Sequence, residues 1–218
     1  MARPSSTSTA AAAALCLALA GACGREAAAG SGGSAGPAAA AAAEDPADFG
    51  AVPDFALVDQ DGRALTRQDL LGRPWVLACI FTLCTGPCPS ITRQMAYVAR
   101  ELEGVDARLV SLSVDPARDK PYMLKRYAEA FEADTARWSF ATGEQAQIDT
   151  LVRDGFKLPL ARLDAPDPQT GTQLTHDQRL TVIDAQGHIR GWYDSQDPKQ
   201  VERLIERMRF LARTESPP

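Results

Sequence analysis

The stretch Trp75-Val76-Leu77-Ala78-Cys79-Ile80-Phe81 limits what this chain can fold into more than any other. It is a continuous apolar run of strand length. A strand without polar alternation has to be covered on both faces, which places it at the centre of a sheet packed between helices. Its C-terminal end leads directly into Thr82-Leu83-Cys84-Thr85-Gly86-Pro87-Cys88-Pro89, so two cysteines sit in the loop that leaves the central strand. Ile91, Met95, Val98 and Leu102 then recur at helical spacing, and Pro89 falls where a helix tolerates proline, at its first position.

The remaining elements follow from the same periodicities. Residues 109–114 form a second apolar strand, ended by Asp115-Pro116. A helix over 121–131 carries Met123, Tyr127 and Phe131 on one face; a short strand over 138–141 and a helix over 145–154 come next. Residues 156–175 have no clear period and contain Pro159, Pro166, Pro168 and Gly171, which predicts a long loop of the kind that is functional or disordered. Two strands around Asp184-Ala185-Gln186-Gly187 predict a hairpin, and Val201, Leu204, Ile205, Met208 and Leu211 mark a last helix. Residues 55–58 and the turn Asp59-Gln60-Asp61-Gly62 open the domain with another short hairpin. Strand, helix, strand, helix, hairpin, helix is the thioredoxin order. The expectation is an α/β, thioredoxin-like fold with a central mixed sheet flanked by helices and an N-terminal hairpin extension.

Ahead of this domain the composition changes. Residues 1–22 carry one Arg, an uncharged Ala-rich stretch and small residues just before Cys23, the layout of an export signal and too short in its apolar part for a spanning helix. Ala20-Gly21-Ala22-Cys23 is similar to the lipobox of bacterial lipoproteins, with Ala20 where Leu, Val or Ile is usual; Cys23 is then the lipid attachment site. The Ala, Gly, Ser and Pro residues that follow have no bulky side chain to bury and form a flexible tether. The expected organisation is a signal peptide over 1–22, the anchor cysteine and tether over 23–48, a folded domain over 49–213 and a tail over 214–218. The product is exported and lipid-anchored on the periplasmic side of a bacterial membrane. A net charge of −5 with interspersed signs and no basic run excludes a nucleic-acid partner.

Of the five cysteines, Cys16 and Cys23 belong to the export region, leaving Cys79, Cys84 and Cys88 in the domain. Cys79 is mid-strand, a small buried hydrophobe. The residue before a proline is pushed out of helical geometry, so Cys88 is expected just outside the helix and Cys84 in the loop before it. Within a regular helix, β-carbons four residues apart are about 5–6 Å apart, whereas a disulfide needs about 3.8 Å. A loop containing Thr85, Gly86 and Pro87 can close that gap. It can equally hold two thiolates on one metal, and the helix N-terminus favours the thiolate that either outcome requires. Two thiolates suit Cu(I), and an added imidazole lets a site hold Cu(II) as well. Of the two histidines, His188 is an exposed turn residue, while His176 ends the long loop ahead of a core strand.

Phe81-Thr82-Leu83-Cys84-Thr85-Gly86-Pro87-Cys88-Pro89, then Ser113-Val114-Asp115-Pro116, then Thr175-His176 ahead of Leu180-Thr181-Val182-Ile183-Asp184 together resemble the Sco/SenC family, over nearly the whole domain. The resemblance implies a copper metallochaperone, or thiol-redox assembly factor, for the dinuclear copper centre of cytochrome c oxidase. Its ligands would be Cys84, Cys88 and His176, and its partner subunit II of that oxidase or another cuproprotein. Cys84 and Cys88 would also be the redox disulfide pair, and Asp115, at a family position near the site, a secondary site residue, with capping of its own turn the equal alternative. The family often has Pro directly after the first Cys, where this chain has Thr85.

Three other readings compete. A membrane-tethered thiol-disulfide oxidoreductase acting on partner cysteines fits the fold and the Cys pair, but the Pro usual before the facing strand is replaced here by Thr175-His176. A peroxide-reducing enzyme could draw on Thr82 and Arg93 but lacks the usual loop ahead of its Cys. A purely structural lipoprotein leaves the thiol pair and His176 without a reason.

Overall fold

The computed structural model describes residues 47–84, 86–165 and 174–215. The signal, Cys16, Cys23 and most of the tether lie outside the described residues.

β1 (Ala56–Val58) and β2 (Ala64–Thr66) form the opening antiparallel hairpin, followed by the single turn α1 (Arg67–Leu70). β3 (Trp75–Ile80) is buried at all six positions, as its unbroken apolar sequence requires. It lies at the centre of a five-stranded sheet in the order β5-β4-β3-β8-β9. β4 (Arg108–Ser113) and β5 (Trp138–Ala141) run parallel to it, while β8 (Arg179–Ile183) and β9 (Ile189–Asp194) form an antiparallel hairpin on its other side. α2 (Cys88–Glu101) packs on β3 and β4 and against α5 (Pro198–Glu215), α5 covers β9, and α3 (Pro121–Ala130) covers β5. This is the expected thioredoxin-like arrangement of a mixed sheet flanked by helices.

The core is built by the periodicities seen in the sequence. On α5, Val201, Leu204, Ile205, Met208 and Leu211 are all at most 4% exposed. Each buried aliphatic side chain of this kind contributes about 1.5–3 kcal/mol of hydrophobic stabilisation. Six residues of β3, at about 3.3 Å each, carry the chain from one end of the sheet to the other. The Cys loop therefore emerges at the opposite end from the β8–β9 turn.

Two expectations, for Cys88 and for the long loop, are corrected, and two are refined. Cys88 is the first residue of α2, not a residue outside it, and Pro89 is the second; the first four N–H groups of a helix have no intrahelical partner, so a proline there costs none. Helical geometry at Cys88 is held by Ile91 N–H donating to Pro87 O (3.0 Å) and Thr92 Oγ1 donating to Cys88 O (2.9 Å). On α3 the buried residues are Leu124 and Ala128; Met123, Tyr127 and Phe131 lie at the rim, Tyr127 with its hydroxyl 2.9 Å from Thr92 Oγ1. The helix predicted over 145–154 is α4 (Gln145–Thr150) continued by a π-helical turn, Leu151–Gly155. The predicted loop contains a two-stranded antiparallel ribbon, β6 (Leu160–Arg162) with β7 (Leu174–His176). Three residues per strand are too few for an alternating pattern to be visible in the sequence.

Candidate metal centre

Each of the three sulfur and nitrogen donors is supplied by a different element. Cys84 lies in the loop after β3, closed by its own N–H donating to Phe81 O (3.2 Å). Cys88 opens α2, and its backbone N–H points at Cys84 Sγ (3.4 Å). His176 ends β7, where the ribbon turns into β8. These elements bring His176 Nε2 to 3.1 Å from Cys88 Sγ. Cys84 is 7% exposed and Cys88 fully buried.

The hydrogen bonds fix the protonation pattern. His176 Nδ1 lies 2.8 Å from Asp177 O, and a carbonyl can only accept, so Nδ1 carries the proton and Nε2 presents its lone pair to Cys88 Sγ. Burial holds the imidazole below its ordinary pKa, in the neutral form a metal needs. Its ring packs edge-on against Phe81, with centroids 5.6 Å apart.

The two thiols are unequal. Directed at Cys84 Sγ rather than at His176 Nε2, the one proton of the Cys88 thiol, with the backbone N–H groups of Cys88 and Gly86, outweighs burial and lowers the Cys84 pKa to about 6. The same hydrogen bond, then desolvation, pushes Cys88 up. Of the pair, Cys84 is the sulfur that ionises more readily, at the N-terminus of α2 where unpaired N–H groups favour negative charge. Cys79, fully inside β3, has its pKa pushed up to about 12 by burial and stays an inert thiol.

The separation of Cys88 Sγ from His176 Nε2 is compatible with two donors on one soft ion. Metal–sulfur and metal–nitrogen bonds of about 2.3 and 2.0–2.1 Å put the two donor atoms about 3.1 Å apart at a right angle and about 3.8 Å apart at 120°. The observed 3.1 Å between Cys88 Sγ and His176 Nε2 lies at the near end of that span. Opening by a few tenths of an ångström reaches the rest.

The other residues singled out in the sequence are placed as follows. Asp115 is 5% exposed in the turn after β4; its carboxylate accepts from Arg118 Nη1 (2.8 Å), and its carbonyl accepts from the N–H groups of Arg118 and Asp119. It caps its own turn. His188 is at the other end of the sheet, 2.7 Å from the carboxylate of Asp48. Thr82 donates its hydroxyl to Asp119, and Arg93 is exposed on α2.

Sequence reasoning missed Asp119. It is 1% exposed and its carboxylate accepts from Thr82 N–H (3.0 Å), Thr82 Oγ1 (2.5 Å) and Ser113 Oγ (2.6 Å), which ties the start of the Cys loop to the end of β4. Its only trace in the sequence is its place four residues beyond Asp115, which by itself does not identify it.

The chain is similar to proteins of one known family. The family model SCO1/SenC matches residues 43–213. The SCO1 protein homolog of Bacillus subtilis (strain 168) is 28% identical over 165 residues, covering 74% of this chain and 82% of its own. A SCO1/SenC family lipoprotein from Bacillus anthracis superposes with a TM-score of 0.66 at 30% identity, covering 74% of this chain and 95% of that one. BsSco, described as a member of the Sco family of cytochrome c oxidase assembly proteins, gives a TM-score of 0.67 at 27% identity, covering 78% and 98%. ScoI of Bradyrhizobium japonicum, solved with copper bound, shares the fold at a TM-score of 0.61 and 22% identity, covering 73% and 99%.

Proposed function

Because the chain belongs to the SCO1/SenC family, we propose that it is a copper metallochaperone that also works through its thiol pair. It serves assembly of the dinuclear copper centre of cytochrome c oxidase subunit II, or of another cuproprotein. Its copper ligands are Cys84, Cys88 and His176. The observation that carries this reading is the approach of the His176 Nε2 lone pair to within 3.1 Å of Cys88 Sγ, with Nδ1 already committed to a backbone carbonyl. A histidine that served only to fill space would not need this tautomer aimed at a thiol.

The ion, when bound, supplies a soft Lewis-acidic centre that takes thiolate in place of a thiol proton. The rest is done by the protein. Cys84 offers the sulfur that ionises more readily; Cys88 gives up its thiol proton; His176 contributes a neutral nitrogen. Two thiolates suffice for Cu(I), and the imidazole extends the site to Cu(II). The domain is exported and held on the periplasmic side of a bacterial membrane by lipid on Cys23 and the tether behind it. Among the described residues no helix is long and apolar enough to cross a membrane.

The unequal thiols also favour a second reading, a thiol-disulfide oxidoreductase in which the Cys84 thiolate attacks a partner disulfide and Cys88 resolves the mixed disulfide. A transfer assay separates the two. The copper-loaded domain is mixed with a soluble dinuclear-copper domain of subunit II whose cysteines are already reduced. Appearance of copper in the acceptor supports the metallochaperone; an acceptor that gains nothing, yet is reduced when supplied as its disulfide, supports the oxidoreductase.

A further inference from the structure

The two halves of the site are carried by separate sheets. The thiols follow β3 of the five-stranded sheet, whereas His176 belongs to the β6–β7 ribbon, which forms a sheet of its own. β8 pairs with β3 only as far as Leu77↔Thr181, so chain continuity through Asp177 and Gln178 does not by itself fix how far the ribbon stands from the Cys loop. Buried Leu160 and Leu174 hold the ribbon down on the core, and the Arg179 guanidinium on the Asp177 carboxylate (2.8 Å) stiffens the corner beside His176.

One backbone unit touches both halves. Val114 N–H donates to Ile80 O (2.9 Å), at the end of β3 just before the Cys loop. Val114 O accepts from Arg162 Nη2 (3.1 Å), on the ribbon strand whose Leu160 pairs with His176. The same guanidinium engages Asp149 of α4 through Nη2 (2.7 Å) and Nε (3.2 Å). A planar fork that meets a carboxylate with two N–H groups while reaching a carbonyl with one of them is a geometry lysine cannot supply.

We propose that Arg162 is a positioning residue for the metal centre. By clamping the ribbon to Val114 and Asp149, it sets the distance of His176 from the Cys84–Cys88 pair. This rests on the reading of Cys84, Cys88 and His176 as the copper ligands. The ion pair is partly exposed, with the Arg162 side chain 37% accessible, and exposed pairs add little to global stability. Position and stability are therefore separable.

The test uses Arg162→Ala and Arg162→Lys, with Asp149→Asn as the matching change at the other end. In the metal-free protein, hydrogen exchange is expected to accelerate at the β6 and β7 amides in Arg162→Ala and to stay unchanged at β3 and β4. On loading, Cu(II) affinity is expected to fall roughly tenfold, the low end for loss of an outer partner of a ligand, with a shifted thiolate-to-copper absorption and Cu(I) affinity within about threefold of wild type. Arg162→Lys and Asp149→Asn are expected to fall in between. Wild-type Cu(II) spectra and ribbon exchange in Arg162→Ala, or equal losses for both oxidation states together with a lowered melting temperature, would overturn the proposal. If the wild-type protein itself shows no His176-dependent Cu(II) spectrum, the ligand assignment fails, and the Arg162 proposal fails with it.

Discussion

His176 Nε2 and Cys88 Sγ lie 3.1 Å apart although 88 residues separate them in the chain. One side of that contact is built by local sequence: a buried strand, a short loop and the first turn of a helix. The other side is built by topology, since the ribbon ending in His176 returns the chain to the same end of the sheet. The bond from His176 Nδ1 to Asp177 O then dictates which nitrogen faces the sulfur.

The unequal thiols give a pH signature. Cys84 has its pKa lowered from 9.0 to about 6. Between those values the unfolded chain holds a proton that the native state has released, so stability of the reduced protein rises with pH from about 6 to 9 and is lost as the pH falls toward 6. Urea melts of the reduced domain across this range are expected to show that slope, and Cys84→Ser to flatten it. Alkylation of Cys84 by iodoacetamide is expected to reach half its maximal rate near pH 6; a midpoint near 9 would contradict the assigned hydrogen bonds.

Asp119 is expected to anchor the Cys loop. Asp119→Asn removes the charge and part of the acceptor capacity for one buried and two half-buried donors, which costs about 1–3 kcal/mol. For a domain of this size that is about 2–4 °C in Tm per kcal/mol. The alkylation midpoint of Cys84 should rise in the same variant as the loop loosens. A melt and a midpoint matching wild type would remove Asp119 from the account.

How much of this was legible in the sequence depends on the length of each signal. β3, α2 and α5 are long enough for their period to be unmistakable, and the Cys pair stands where the central strand must end. The β6–β7 ribbon was not legible, because three residues per strand carry no readable alternation and prolines dominate the surrounding segment. Asp115 drew attention through its motif, yet it pairs with Arg118, while the carboxylate that touches the Cys loop is that of Asp119. Arg162 gave no signal at all, since its partners are a backbone carbonyl and a residue on a separate element, the helix α4.

The anchor at Cys23 is tested apart from the site. Cys23→Ser is expected to release the protein from the membrane fraction or to block its processing, with copper binding by the isolated domain unchanged. Membrane association identical to wild type would eliminate lipid on Cys23.

The most direct test of the central claim is copper titration of four single variants, Cys84→Ser, Cys88→Ser, His176→Ala and His188→Ala, read by visible absorption for Cu(II) and by chelator competition for Cu(I). Loss of either cysteine is expected to damage both oxidation states. His176→Ala should abolish the thiolate-to-Cu(II) absorption while largely sparing Cu(I), and His188→Ala, at the far end of the sheet beside Asp48, should match wild type. His176→Ala behaving as wild type in both measurements would contradict the account and leave a thiol-disulfide oxidoreductase in its place.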